Sequence, residues 1–264
     1  MIERPSPNHE RRRGTDAPDM VVLHYTGMLS ARAAVDWLCE PRSGVSAHYL
    51  VDEDGTVVRM VAEDRRAWHA GVSAWRGASD VNSRSIGIEI HNPGHDHGYR
   101  PFPAAQVDAL LRLLDAIRGR WAVPDERVLA HSDVAPARKV DPGELFPWDR
   151  LVAAGHGLWP AAALPPAPPD APAEAGPIAA ILDRLRTSPD TSANEDPDAV
   201  SAWQRDLAAF GYDVAVTGAG DAPTRLATAA FQRHFARHRL DGVADDRTRA
   251  ILAAALGRPR VDPA

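Results

Sequence analysis

The chain has 264 residues, enough for one sizeable core and a small second module, and its 44% hydrophobic and 25% charged residues mark a globular rather than a disordered protein. The formal net charge is -6 and no basic block exceeds Arg11-Arg12-Arg13, which argues against nucleic acid as a partner. A single cysteine, Cys39, excludes an internal disulfide framework, and no run of about 20 apolar residues is present to span a membrane.

Residues 1–14 are polar and lack the apolar stretch of a signal peptide, so a cytoplasmic location is expected, with the periplasm or export as the alternative. Residues 19–26 (DMVVLHYT) read as a buried strand. Ser30 then caps a helix that packs through Ala33, Ala34, Trp37 and Leu38, and Cys39 at its end reads as a packed thiol. Residues 47–51 and 56–61 form a hairpin closed by Asp54-Gly55, and the alternating SIGIEIH (85–91) predicts another strand. Val107, Leu110, Leu111, Leu114, Ile117 and Trp121 recur at helical spacing over 103–121, with proline in the first turn. Residues 127–130 make a short strand that enters a polar loop, 131–143. Strands alternating with helices, plus one hairpin, predict an α/β domain with a mixed central sheet flanked by helices. Residues 160–177 (PAAALPPAPPDAPAEAGP) lack apolar periodicity and read as an extended linker. From Asp198 onward, three apolar faces follow: Val200, Trp203, Leu207 and Phe210; Leu226, Ala230, Phe231 and Phe235; Ile251, Leu252, Ala255 and Leu256. They predict a small three-helix domain. The division is 1–158, catalytic; 159–177, linker; 178–264, helical.

Two histidines end strands, His24 and His131, and the loop after His131 carries Asp141. Strand ends are where α/β sheets collect sites, and two histidines with one carboxylate make a familiar catalytic zinc shell with a fourth position left to water. Sequence spacing alone leaves an ordinary hydrogen-bonded histidine as the commoner reading, because the three residues are far apart in the chain. Lys139 is the only lysine in a chain whose other basic residues are all arginine. A position that keeps an ammonium where arginine serves everywhere else points to a need for that group.

VVLHYT, SAHYLV, RAWHAGVS, SIGIEI and HSDVAPARKVDPG occur in this order. Over about residues 5 to 155 the chain resembles the type 2 N-acetylmuramoyl-L-alanine amidases (AmpD/AmiD-like), relatives in fold of phage amidases and animal peptidoglycan recognition proteins. The resemblance implies Zn2+ held by His24, His131 and Asp141, an oxyanion-stabilising role for Lys139 and a general acid/base role for Glu89. It implies hydrolysis of the amide between N-acetylmuramic acid, or its 1,6-anhydro form, and L-alanine, with peptidoglycan or a muropeptide as the partner. His48, His69, Trp75 and Asn82 fall in matching motifs and are expected to line the substrate groove. Core packing is an equal reading for His48 and Trp75, and also for Trp68. His91, His95 and His97 (HNPGHDH) read as a solvated loop rather than a second metal site, and Asp133 as a capping carboxylate rather than a fourth ligand. A binding protein without activity is the alternative, although such proteins lack a ligand that is present here.

The layout V-S-A-W-Q (200–204), F-G-Y (210–212), F-Q (231–232) and L-D-G-V (240–243) resembles the three-helix peptidoglycan-binding domain. Ala244 stands where that family has glycine. A module that only stabilises or dimerises the enzyme is the alternative reading.

Overall fold

The computed structural model describes residues 1–160, 174, 176–188 and 196–257. Residues 161–173 and 175, most of the expected linker, lie outside the described residues.

The strands are β1 (Ile2–Glu3), β2 (His9–Arg11), β3 (Met20–Tyr25), β4 (Tyr49–Val51), β5 (Val57–Arg59), β6 (Arg65–Ala67), β7 (Ser85–Ile90) and β8 (Val128–Ala130). Between and after them come helices α1 (Ala31–Leu38), α2 (Val81–Arg84), α3 (Ala104–Arg120), α4 (His131–Val134), α5 (Trp148–Ala153), α6 (Ile178–Thr187), α7 (Pro197–Phe210), α8 (Ala222–Phe235) and α9 (Asp246–Ala255). The central sheet runs β1-β5-β4-β7-β3-β8, and β2 pairs with β6 apart from it. Within the central sheet only the β4–β5 hairpin is antiparallel; β3 lies parallel between β7 and β8. This is the mixed sheet with flanking helices that the alternation of elements predicts.

Side chains on a strand alternate between faces, and here the alternation sorts the sequence into two cores and a site. Val21 and Leu23 of β3, Ile86, Ile88 and Ile90 of β7, Tyr49 and Val51 of β4, and Val128 and Ala130 of β8 pack with the apolar stripe of α3. The other face carries Met20 and Val22 of β3 and Leu129 of β8, which join a core built mostly from α7, α8 and α9. Leu50 of β4 and Val58 of β5 pack under α1. Between these covers the same face presents His24, Glu89 and Gly87 at neighbouring register positions.

The C-terminal helices are therefore docked on the sheet rather than held off it. Residues 224–235 of α8 are all buried, including Arg225, Arg233 and His234. Each of those polar groups has partners: Arg225 donates to Leu185 O (3.0 Å) and Arg186 O (2.9 Å), Arg233 pairs with Glu174 (2.7 Å), and His234 donates to Asp133 (2.8 Å). Helix α6 is an addition to the three expected helices; Ile181, Leu182 and Leu185 bury against Tyr25, Val140, Leu226 and Ala229. Gly211 shows how close the docking is, since a Cβ there would lie 2.5 Å from Trp75 Cε2.

Candidate metal centre and active site

His24 sits near the end of β3, and its Cα pairs with Glu89 on β7. His131 opens α4 directly after β8, the strand on the other side of β3. Residues 131–143, expected as a loop, begin with this single helical turn, and Ser132 N donates to Asp141 O (2.9 Å) to fold the loop back on it. His24, His131 and Asp141 thus converge, 2%, 3% and 5% exposed. Among the described residues they form the one group of histidine and acidic side chains arranged to hold a metal ion.

The hydrogen-bond network fixes which atoms face the centre. His131 Nε2 lies 3.2 Å from Ala70 O, which can only accept, and with the proton on that nitrogen Nδ1 offers a lone pair toward His24 and Asp141. Ser85 Oγ donates to Val81 O (2.7 Å), so it accepts from His69 Nε2 (3.1 Å). His69 Nδ1 is then an acceptor and receives the proton of His24 Nε2 (3.0 Å), which leaves His24 Nδ1 with a lone pair as well. His24 Nδ1, His131 Nδ1 and Asp141 Oδ2 stand 2.9, 3.0 and 3.2 Å apart. Three electron-pair donors at these distances can share one cation. Tetrahedral bonds of about 2.0–2.1 Å give ligand edges of about 3.3 Å, so the donor set fits a zinc-sized ion.

The electrostatics agree. Burial, reinforced by His131, lowers His24 to about 4 and keeps it neutral, as a ligand must be. Burial alone would raise Asp141; His131 and His24 outweigh it and hold the carboxyl well below the usual range. Glu89 behaves in the opposite way. Burial, and then Asp141, push its carboxyl well above the usual value, while Lys139 opposes the rise. Glu89 Oε2 is buried with no hydrogen-bond partner among the described residues. Buried polar groups without a partner are uncommon, and perturbed carboxyls cluster at functional sites.

Of the residues expected in the substrate groove, His48, Asn82 and Trp75 are buried, which corrects the expectation for these three; His69 is only partly buried. His48 is 0% exposed; its Nδ1 accepts from Gly87 N (2.9 Å) and its Nε2 donates to Arg65 O (3.0 Å). Asn82 Oδ1 accepts from both His69 N and Ala70 N (3.0 and 2.8 Å) and so shapes the segment against which His131 rests. The His69 ring lies over Gly87, where a Cβ would come within 2.3 Å of it. Trp75 is 1% exposed and packs on Phe210 and Tyr212. Burial is the physical reason for His48, Asn82 and Trp75, whose side chains are turned inward, whereas His69 keeps part of its surface exposed. His95 is corrected too. Its side chain is fully buried, bonded to Tyr25 (3.0 Å) and Glu144 (3.3 Å) and stacked on Tyr99. Asp133 is a capping carboxylate as expected, accepting from Ala130 N at 2.8 Å. Ser85, the anchor of the His69 chain, was missed, because a strand serine carries no signal in sequence.

A family model described as N-acetylmuramoyl-L-alanine amidase matches residues 14–144. The AmiD amidase of Escherichia coli K12 is 35% identical over 249 residues, 90% of this chain and 82% of that protein. The chain belongs to the N-acetylmuramoyl-L-alanine amidase family. It is an enzyme of that activity, not a binding protein that has lost it. A peptidoglycan binding domain model matches residues 196–252. The AmpD amidase of Enterobacter cloacae is 34% identical over 56% of this chain and 86% of its own length, so it matches without the C-terminal helices. Among solved structures, Escherichia coli AmiD in complex with anhydro-N-acetylmuramic acid-L-Ala-D-γ-Glu-L-Lys matches with a TM-score of 0.71 at 34% identity, covering 94% of this chain and 92% of that one. AmpDh3 of Pseudomonas aeruginosa matches with a TM-score of 0.71 at 32% identity, covering 93% of each chain. No helix among the described residues is long and apolar enough to cross a membrane.

Proposed function

We propose that this amidase is a zinc enzyme in which His24, His131 and Asp141 hold the ion, Glu89 moves the proton and Lys139 receives the oxyanion. The observation that carries the proposal is the triangle of two imidazole lone pairs and a carboxylate oxygen. The ion, when bound, supplies a Lewis acid and lowers the pKa of water at the site to about 7. Glu89, whose carboxyl is raised by burial and then by Asp141, is suited to taking a proton from the attacking water and giving it to the departing amine. The Lys139 side chain is half-buried, and its charge acts on both Glu89 and His24, which supports its role as the cation that stabilises a developing negative charge.

The substrate we infer is a muropeptide or peptidoglycan, cut between the muramic acid lactyl group and L-alanine. Solved relatives in complex with anhydro-muramyl peptides support this reading. Residues 1–158 carry every catalytic group, while residues 178–264 form the helical unit, whose resemblance to peptidoglycan-binding domains supports action on polymer as well as on soluble fragments. Incubating purified sacculi and soluble anhydro-muropeptides with the enzyme and weighing the products by mass spectrometry tests the bond and the substrate form together. Chelation should abolish cleavage and zinc should restore it; a His131→Ala protein that cleaves normally would overturn the ligand assignment.

A further inference from the structure

Helix α4 is one turn long, yet it presents a metal ligand at its first residue. Ala130, which precedes it, offers no side-chain cap; Asp133 takes over by accepting from Ala130 N (2.8 Å). The Asp133 side chain is fully buried. A carboxylate in such a place needs more than one donor, and its two remaining donors both come from the C-terminal helices. Tyr212 OH donates to Oδ1 (2.8 Å), and His234 Nδ1 donates to Oδ2 (2.8 Å).

Neither donor is placed loosely. Burial, and then the charge of Asp133, raise the Tyr212 phenol well above its usual value, so it stays protonated and donating. The His234 ring is clamped between Trp148 and Phe235, with ring centroids 3.7 Å apart on either side. The segment before Tyr212 is locked as well: Gly211 O accepts from Arg76 N (2.9 Å), and the glycine leaves room for Trp75. Ala74 N in turn donates to Val134 O at the end of α4 (2.9 Å). Both ends of the α4 turn are therefore held through residues that meet the C-terminal helices.

We propose that the C-terminal helical unit is a positioning element of the metal site, with Tyr212 and His234 holding Asp133 and Asp133 holding the backbone that presents His131. This role is separate from any hold on the cell wall, and it rests on the reading of His131 as a metal ligand. Tyr212 and His234 touch neither ion nor substrate; they act through Asp133.

The test uses the full-length protein, stripped of metal and titrated with Zn2+ against a chromogenic chelator, alongside kcat and KM on a soluble anhydro-muropeptide. Tyr212→Phe removes one donor and His234→Leu the other. His234→Asn keeps a donor close to the Nδ1 position. Phe231→Leu, inside the helical unit and not a donor to Asp133, is the control for general loosening. Losses around metal ligands typically reach 10–100-fold, and the expectation here is about a tenfold weaker Zn2+ affinity and a lower kcat, at unchanged KM, for Tyr212→Phe and His234→Leu. His234→Asn should recover most of the affinity, and Phe231→Leu should keep it even if it melts earlier. Unchanged Zn2+ affinity in Tyr212→Phe and His234→Leu, or an equal loss in Phe231→Leu, overturns the proposal. Wild-type affinity in His131→Ala would instead remove the ligand assignment beneath it, a result that the other variants cannot mimic.

Discussion

At the scale of single residues, the lone lysine and the unpaired glutamate are where chemistry and structure are most closely joined. Lys139→Arg keeps the charge but replaces a compact ammonium by a planar, broader group. It should lose on the order of 10²–10³ in turnover, the usual loss for an oxyanion donor. Lys139→Ala and Glu89→Ala should lose at least as much while binding zinc normally, because neither residue is among the three ligand positions; full turnover in any of them would remove the role assigned. His48 makes a different prediction. Burial, and then the Arg12 guanidinium 3.3 Å away, lower it to about 3 from 6.5, against the opposing pull of Glu63. The unfolded chain binds this proton first, so stability is complete above about pH 6.5 and falls as the pH drops toward 3. At about 1.4 kcal/mol per unit the single group carries roughly 5 kcal/mol across that window. Urea unfolding of the metal-free protein between pH 7.5 and 4 should give a steeper decline for the wild type than for His48→Asn, and equal slopes would refute it.

The elements explain why the site is where it is. Each strand sends one set of alternating residues into the α3 core and the other to the site face. Gly87 belongs to that second set, and its missing side chain makes room for the His69 ring that fixes the His24 tautomer. Gly87→Ala should therefore push His69 out of line, weaken zinc binding at least several-fold and cost about 1–3 kcal/mol, the usual range for an overpacked site. Zinc titration and a melting curve check both parts; an intact zinc affinity would mean the tautomer chain is not needed. The pattern of SIGIEI made the strand legible from sequence. The function of its glycine was not, because the ring it accommodates comes from a residue 18 positions earlier in the chain.

For the whole molecule, the docking of the C-terminal helices changes what truncation should do. An enzyme whose second module hangs on a tether should keep its activity on soluble substrate when cut at residue 158. Here Met20, Val22, Trp75 and Leu129 share one core with Trp203, Phe210, Phe231 and Phe235. Cutting at 158 uncovers that apolar face and removes both donors to Asp133. The truncated chain should melt lower, aggregate more readily and turn over soluble anhydro-muropeptide more slowly; wild-type kcat on the soluble substrate with a wild-type melting point would restore the tether. The full-length protein should unfold in a single transition, as expected when two units share a core.

By itself the sequence made legible β3, α1, the β4–β5 hairpin, β7, α3, β8 and the three C-terminal helices, and the motifs that nominate the site. Alternation and helical spacing are local properties, and His24, His131, Asp141, Glu89 and Lys139 sit in motifs dense enough to be read without coordinates. The tertiary structure decided which nitrogen of each histidine faces the centre, because that depends on Ala70 O, Ser85 and Val81 O, three partners drawn from other parts of the chain. It also decided that His48, Asn82 and Trp75 are buried supports rather than groove residues, since a motif position records a residue type and not the direction in which its side chain is packed. And it turned an expected appendage into a cover for the sheet, because the apolar faces of α7, α8 and α9 are compatible in sequence with a self-contained bundle and only contact with Met20, Trp75 and Leu129 shows where they are spent.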